Sequence, residues 1–308
     1  MARMITSAEE YGFSARGGVD WSMYAACRPI YPPSFFQRIY AYHAAKPQAA
    51  WSRAHDVGAG AGIVSAGLAG KFDRVVMSDP NDGHAALGHK ILVDELGIPA
   101  AKLAFLQEGA EKSSVASGSV DLVTACEMIH WTNTDAAVDE FYRQLKTGGT
   151  VVIAYYSRPR IVGNAIAQRA WRGIFRASAE KIGALGALYD RLLRIVNSGL
   201  ENVELPGTKW RGVKRVYINT GGSVEPFALD DRTAESKVKE GEEKIWEEAD
   251  EDWMDIKGID WFKPYFATWT PRIPDEEIRD LWDQLEAALN GQDVRVETPV
   301  VLIFGTKV

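Results

Sequence analysis

The segment Asp56-Val57-Gly58-Ala59-Gly60-Ala61-Gly62 sets a carboxylate ahead of three alternating glycines. Such a pattern prescribes a strand, a tight backbone turn and then a helix. Glycine permits positive φ and lets bare backbone approach a ligand, while the next helix aims its unpaired N–H groups and positive dipole end at a carboxylate or phosphate. The chemistry implied is the cradling of a nucleotide cofactor. Ile63 stands where a dinucleotide fingerprint needs its last small residue, so the spacing favours S-adenosylmethionine over NAD.

Further residues fall where such a site needs them. Asp79 ends the run Val75-Val76-Met77-Ser78, 23 residues beyond Asp56, where an α/β nucleotide site places the carboxylate that accepts the ribose hydroxyls. Its alternative is a helix N-cap ahead of Pro80. Gly109-Ala110-Glu111 follows a third apolar run and offers backbone N–H groups or a carboxylate to the adenine edge. Glu127 and His130-Trp131 follow the run Val120 to Cys126, so they emerge at the carboxyl edge of a sheet, where ligands bind in this architecture. The indole of Trp131 would cover the adenine or wall the substrate pocket.

The elements that must position these residues follow from periodicity. Strands are predicted at 53–57, 73–78, 103–107, 120–126 and 149–156, with helices near 62–70, 82–97 and 134–146; this βα alternation means a parallel sheet covered on both faces. Pro29, Pro32 and Pro33 stop one segment and permit a helix from Ser34. Beyond 158 the rhythm breaks. Ile166, Ala170 and Ile174, then Leu185, Leu188, Leu192 and Val196, recur at helical spacing, and Trp210 to Ile218 reads as a strand. The charged stretch Glu235 to Asp255 carries Ile245, Trp246, Ala249 and Trp253 on one stripe and reads as a helix with a solvated acidic face. A helix from about Asp275 to Asn290 and a buried strand over 298–306 complete the chain.

Composition bounds the partners. The 308 residues are 46% hydrophobic and carry 35 basic against 42 acidic side chains, a formal charge of −7. That balance argues against nucleic acid, which needs clustered Lys and Arg, and for a small molecule. Cys27 and Cys126 are far apart and without metal-ligand spacing, so neither a disulfide framework nor a metal site is expected. No stretch approaches the roughly 20 apolar residues that span a bilayer and the N-terminus lacks an apolar signal core. A cytoplasmic protein with no membrane partner is expected.

Taken in order, Asp56 to Gly62, Asp79, Gly109-Ala110-Glu111, Cys126 to Trp131 and Leu145-Lys146-Thr147-Gly148-Gly149 resemble a class I S-adenosylmethionine-dependent methyltransferase across 53–156. The lead-in Phe13, Tyr24 and Arg28-Pro29-Ile30-Tyr31-Pro32, with the closing Pro299 to Ile303, further resembles the fungal trans-aconitate methyltransferase-like group. The fold this implies is α/β, a doubly wound Rossmann-like sheet with an N-terminal lid (1–50), a cofactor-binding core (51–157), a helical cap insertion (158–270) and a C-terminal helix and strand (271–308). The resemblance implies that Gly58 and Gly60 hold the methionine moiety, Asp79 the ribose, and Ala110 with Glu111 the adenine. Asp56 would support the loop. Tyr24, Glu127 and Trp131 complete the cofactor-facing set.

Methyl transfer is an in-line displacement from a sulfonium, so the protein chiefly aligns the reactants and excludes water. A carboxylate acceptor is already ionised near neutral pH and needs a positive clamp, for which Arg28 is the candidate. A phenol would need a base, for which His130 is the candidate. Packing roles stay open for both. Arg158, Arg160, Lys209, Arg211, Lys214 and Arg215 read as solvated, with one available to an anionic pocket. The acceptor expected is a carboxylate oxygen of a trans-aconitate-like acid or a fungal secondary metabolite methylated on O, N or S. Two other functions remain open: S-adenosylmethionine binding for pericyclic or regulatory ends, and an NAD-dependent oxidoreductase, against which Ile63 and the lack of a Tyr-x-x-x-Lys dyad count.

Overall fold

The computed structural model describes residues 21–81, 83–269 and 273–308. Phe13 of the expected lid lies outside them. In chain order the elements are α1 (Trp21–Cys27), α2 (Pro33–Ala44), β1 (Arg53–Val57), α3 (Ile63–Ala69), β2 (Arg74–Ser78), α4 (His84–His89), β3 (Leu103–Leu106), β4 (Val120–Cys126), α5 (Thr134–Gln144) and β5 (Leu145–Tyr156). There follow β6 (Arg160–Val162), α6 (Ala165–Gly183), α7 (Ala187–Asn197), β7 (Trp210–Ile218), β8 (Glu243–Glu247), β9 (Met254–Lys257), α8 (Ile259–Ala267), α9 (Arg279–Leu289), β10 (Val294–Glu297) and β11 (Val300–Lys307).

Eight strands form the main sheet in the order β3-β2-β1-β4-β5-β11-β7-β8. The first five are parallel, and β11 runs antiparallel between β5 and β7. Strand order therefore reverses between β1 and β4, which leaves a crevice beyond their carboxyl ends. Because successive strand residues face opposite ways, each strand feeds two cores. Along β5, Val151, Ile153 and Tyr155 pack under α5, α6 and α7, whereas Val152, Ala154 and Tyr156 pack under α2 and α3. This two-sided burial is the doubly wound fold expected from the apolar runs.

Three expectations need correction. Glu235 to Asp255 is not a helix: β8 pairs in parallel with β7, and β9 joins β6 and β10 in a second, three-stranded antiparallel sheet. The stripe divides because neighbours on a strand face opposite ways. Ile245 packs on the α2 side, Trp246 stacks on Tyr217 at 4.3 Å, and Ala249 takes φ 61°. Consequently part of 158–270 extends the main sheet, while α6, α7 and α8 join the apolar core on one of its faces. The second correction concerns Arg158 and Arg215, 4% and 0% exposed, which are not solvated. Arg215 is offset by Glu242 and the carbonyls of Leu200 and Val203. The third is α2, part of the region read as a lid; Pro33 starts it as expected, but Phe35, Ile39 and His43 are buried against the sheet.

Candidate active site

The glycine turn leaves β1 with Gly58 at φ 66° and Gly60 at φ 50°, the left-handed region that disfavours other residues. At Gly58 the constraint is double, since a Cβ there would lie 2.5 Å from Cβ of Met128. Carboxylates pin both flanks of the turn. Asp56, 1% exposed, accepts from Ser65 Oγ on α3 at 2.6 Å and from Thr124 Oγ1 on β4 at 2.8 Å. Burial pushes it up to about 6 against those hydrogen bonds. Asp79, just past β2, accepts the Gly60 N–H and the Asn81 N–H, each at 2.9 Å. Burial raises its pKa as well, and the two amide bonds work against that rise.

Around this turn lies a cleft of about 170 Å³. Tyr24, Arg28, Asp56, Gly58, Gly60, Asp79, Ala110, Glu111, Glu127 and Trp131 all line it. Glu111 also accepts the Asn133 N–H at 2.9 Å, which ties the Gly109-Ala110-Glu111 loop to the start of α5. Gly60 would meet nothing within 4 Å of an added Cβ, so its face toward the cleft is bare backbone. Open peptide over a turn, a helix start and a carboxylate one strand away suit S-adenosylmethionine: Gly58 and Gly60 for its amino-acid end, Asp79 for its ribose. Asp79→Ala is expected to weaken S-adenosylhomocysteine by about 1–3 kcal/mol through lost charge-assisted hydrogen bonds. Unchanged affinity in a calorimetric titration would remove Asp79 from the site.

A smaller cavity of about 60 Å³ adjoins the cleft, and Tyr24, Arg28, Glu127 and Trp131 line both. His130 lines only the smaller one. Arg28 donates through Nε and Nη2 to Thr268 at 2.9 and 3.1 Å, with Tyr24 and Trp269 each 4.9 Å from its guanidinium carbon. Burial pulls its pKa down, but the rings of Tyr24, Tyr156 and Tyr265 and the Glu127 carboxylate more than offset this, and Arg28 stays charged. Glu127 sits at φ 57° immediately after β4 and accepts the Tyr156 N–H at 2.5 Å. Burial pushes its carboxyl up to about 8 against that hydrogen bond and Arg28. His130 is pulled down to about 3, first by burial and then by Arg28.

Several lining residues escaped the sequence reading. Tyr155 and Tyr156 end β5 and, as strand neighbours, face opposite ways, so Tyr155 lines the smaller cavity and Tyr156 the larger. The rule that ligands meet the carboxyl edge, applied to β4, would have found both on β5. Thr268 left no signal, because nothing local marks a residue 240 positions away as the partner of Arg28. Among the described residues no cluster of three or more His, Cys, Asp or Glu could hold a metal ion, and no helix is long and apolar enough to cross a membrane.

An α/β sheet with a crevice at its strand reversal and a second cavity adjoining it has the layout of a nucleotide-cofactor-binding fold. Residues 55–153 match the methyltransferase domain family. The chain is 30% identical to methyltransferase cfoB of Aspergillus candidus, with 96% of this chain and 97% of that protein covered. It is also 30% identical to methyltransferase pgmE of Aspergillus terreus, covering 94% and 93%. A solved structure from Anaeromyxobacter dehalogenans, described as a type II methyltransferase, shares the fold at a TM-score of 0.59 and 19% identity, over 91% of this chain and 97% of that one. The protein belongs to the class I S-adenosylmethionine-dependent methyltransferase family.

Proposed function

We propose that the chain transfers a methyl group to an oxygen of a small secondary metabolite, most simply a carboxylate, across the wall shared by the glycine-turn cleft and the smaller cavity beside it. When bound, S-adenosylmethionine supplies an electrophilic methyl group on a sulfonium. The glycine turn, Asp79 and the Ala110-Glu111 loop hold the cofactor, while Tyr24, Glu127 and Trp131 form the wall through which the acceptor must reach. The observation that carries the reading is Arg28: a permanent cation, held by Thr268, at the one wall common to both cavities.

A carboxylate arrives ionised and needs only that cation and alignment. The candidate base for a phenol, His130, is neutral and too weakly basic to take a proton near pH 7. The likeness to the trans-aconitate group points the same way, and the two Aspergillus relatives support a natural-product acceptor. A panel of carboxylic acids, phenols, amines and thiols with methyl-labelled cofactor, read by mass spectrometry, tests this. Label on carboxylates supports it; label confined to amines or thiols refutes it, and label on phenols alone refutes the carboxylate acceptor. For Arg28→Ala, turnover of acids should fall by about tenfold or more while cofactor affinity changes less. Equal turnover would eliminate the clamp.

A further inference from the structure

The smaller cavity has two unlike sides. Its polar groups, Tyr24, Arg28, Glu127, His130 and Tyr155, gather at or near the wall shared with the cofactor cleft. Away from it, Phe175 and Ile182 of α6, Leu192, Leu193 and Val196 of α7, and Leu229 enclose the space, with Ser178 as the hydroxyl among them. An acid with several carboxylates would need several cations, and among the described residues lining this cavity Arg28 is the one cation. The nearby Arg158 stands against the Phe175 ring, 5.6 Å from its centroid, and does not line the space. Polar at one end and apolar at the other, the cavity matches a molecule built the same way.

His130 stands at that polar end. Trp131 and Tyr155 pack on its ring at 5.6 and 5.3 Å and fix its orientation. Its Nδ1 is sealed and has no hydrogen-bond partner among the described residues, which leaves Nε2 as the ring nitrogen able to meet a ligand. A sealed N–H without an acceptor costs more than a sealed lone pair, so the proton belongs on Nε2. We propose that the smaller cavity binds the apolar body of a monocarboxylic acid, and that His130 donates its Nε2–H to the acid's oxygen beside Arg28. His130 is thereby a residue that selects the acceptor rather than a base. The proposal rests on the methyl-transfer reading and narrows it: a compact polyacid such as trans-aconitate does not fit.

The test uses two probes, 1-naphthoate and trans-aconitate, titrated into the full chain with and without S-adenosylhomocysteine. Naphthoate is expected to bind at least about tenfold more tightly than trans-aconitate. His130→Phe should weaken naphthoate by about tenfold, and His130→Gln, which keeps an N–H donor, should recover most of that loss. In the unaltered protein, nitrogen NMR of the histidine rings should report a neutral His130 protonated at Nε2, with that resonance moving on naphthoate addition. Trans-aconitate binding as well or better, naphthoate indifferent to position 130, or a proton on Nδ1 would each overturn the proposal. S-adenosylhomocysteine failing to bind would instead sink the methyl-transfer reading, with the naphthoate titration of the chain alone still deciding the cavity.

Discussion

Gly58→Ala is expected to cost the protein both stability and its cofactor. Position 58 holds φ 66°, and a left-handed conformation costs an alanine about 1–2 kcal/mol. The added methyl would also meet Met128 Cβ at 2.5 Å, an atom attached directly to backbone that cannot swing aside. Overpacking of that kind costs about 1–3 kcal/mol. Relief requires the turn and the Met128 segment to move apart, and both belong to the cleft wall. Affinity for S-adenosylhomocysteine should fall about a hundredfold or more, alongside a lower melting temperature. Gly60→Ala is the contrast: its φ of 50° carries the conformational cost, but nothing lies within 4 Å of the new methyl. It should therefore perturb the fold less while still obstructing the cofactor. A Gly58→Ala protein with ordinary stability and affinity would show that the turn is not the cradle.

The second large effect concerns Glu127 and pH. In the folded protein this carboxyl keeps its proton up to about pH 8, whereas its ordinary value is 4.5. The folded state thus binds more protons than the unfolded chain between those values, and this group's contribution to stability declines as pH rises through that window. A sulfonium at the shared wall would favour the ionised form, so binding of S-adenosylmethionine should release a proton there. Below about pH 8, the affinity advantage of the unaltered protein over Glu127→Gln should widen by up to about tenfold per pH unit as pH rises, then level off. Measuring the ratio of the two proteins removes the titration of the ligand's own amino group. S-adenosylhomocysteine, lacking the sulfonium charge, should show a smaller widening. A ratio that stays flat from pH 6 to 9 would take Glu127 away from the cofactor's charge.

The cofactor half of the molecule was legible because each part has a local cause. Strands β1 and β4 fall where the apolar runs predict them, and β2 and β3 shift by a single residue. Once their carboxyl ends are known, Gly58, Asp79 and Glu127 must emerge at one edge. The other half depends on long-range pairing. Ile245, Trp246 and Trp253 satisfy a helical stripe on paper, yet β7 offered an open edge whose pairing with β8 stacked Trp246 on Tyr217, while Trp253 was buried separately against Tyr31, Phe35 and Tyr156. Arg215 looked like any surface cation until Glu242 was folded against it. The smaller cavity is harder still, since its walls come from α6, α7, Leu229 and Trp269, each apolar for reasons that core packing alone would explain.

We place the donor in the glycine-turn cleft and the acceptor in the smaller cavity, with Tyr24, Arg28, Glu127 and Trp131 between them. A crystal structure with S-adenosylhomocysteine and 1-naphthoate tests this placement most directly. Ribose oxygens are expected on Asp79, the amino-acid end on the Gly58 to Gly60 backbone, and the naphthoate carboxylate beside Arg28, facing the sulfur. Nucleoside density away from Asp79, or an acceptor outside the smaller cavity, would contradict it.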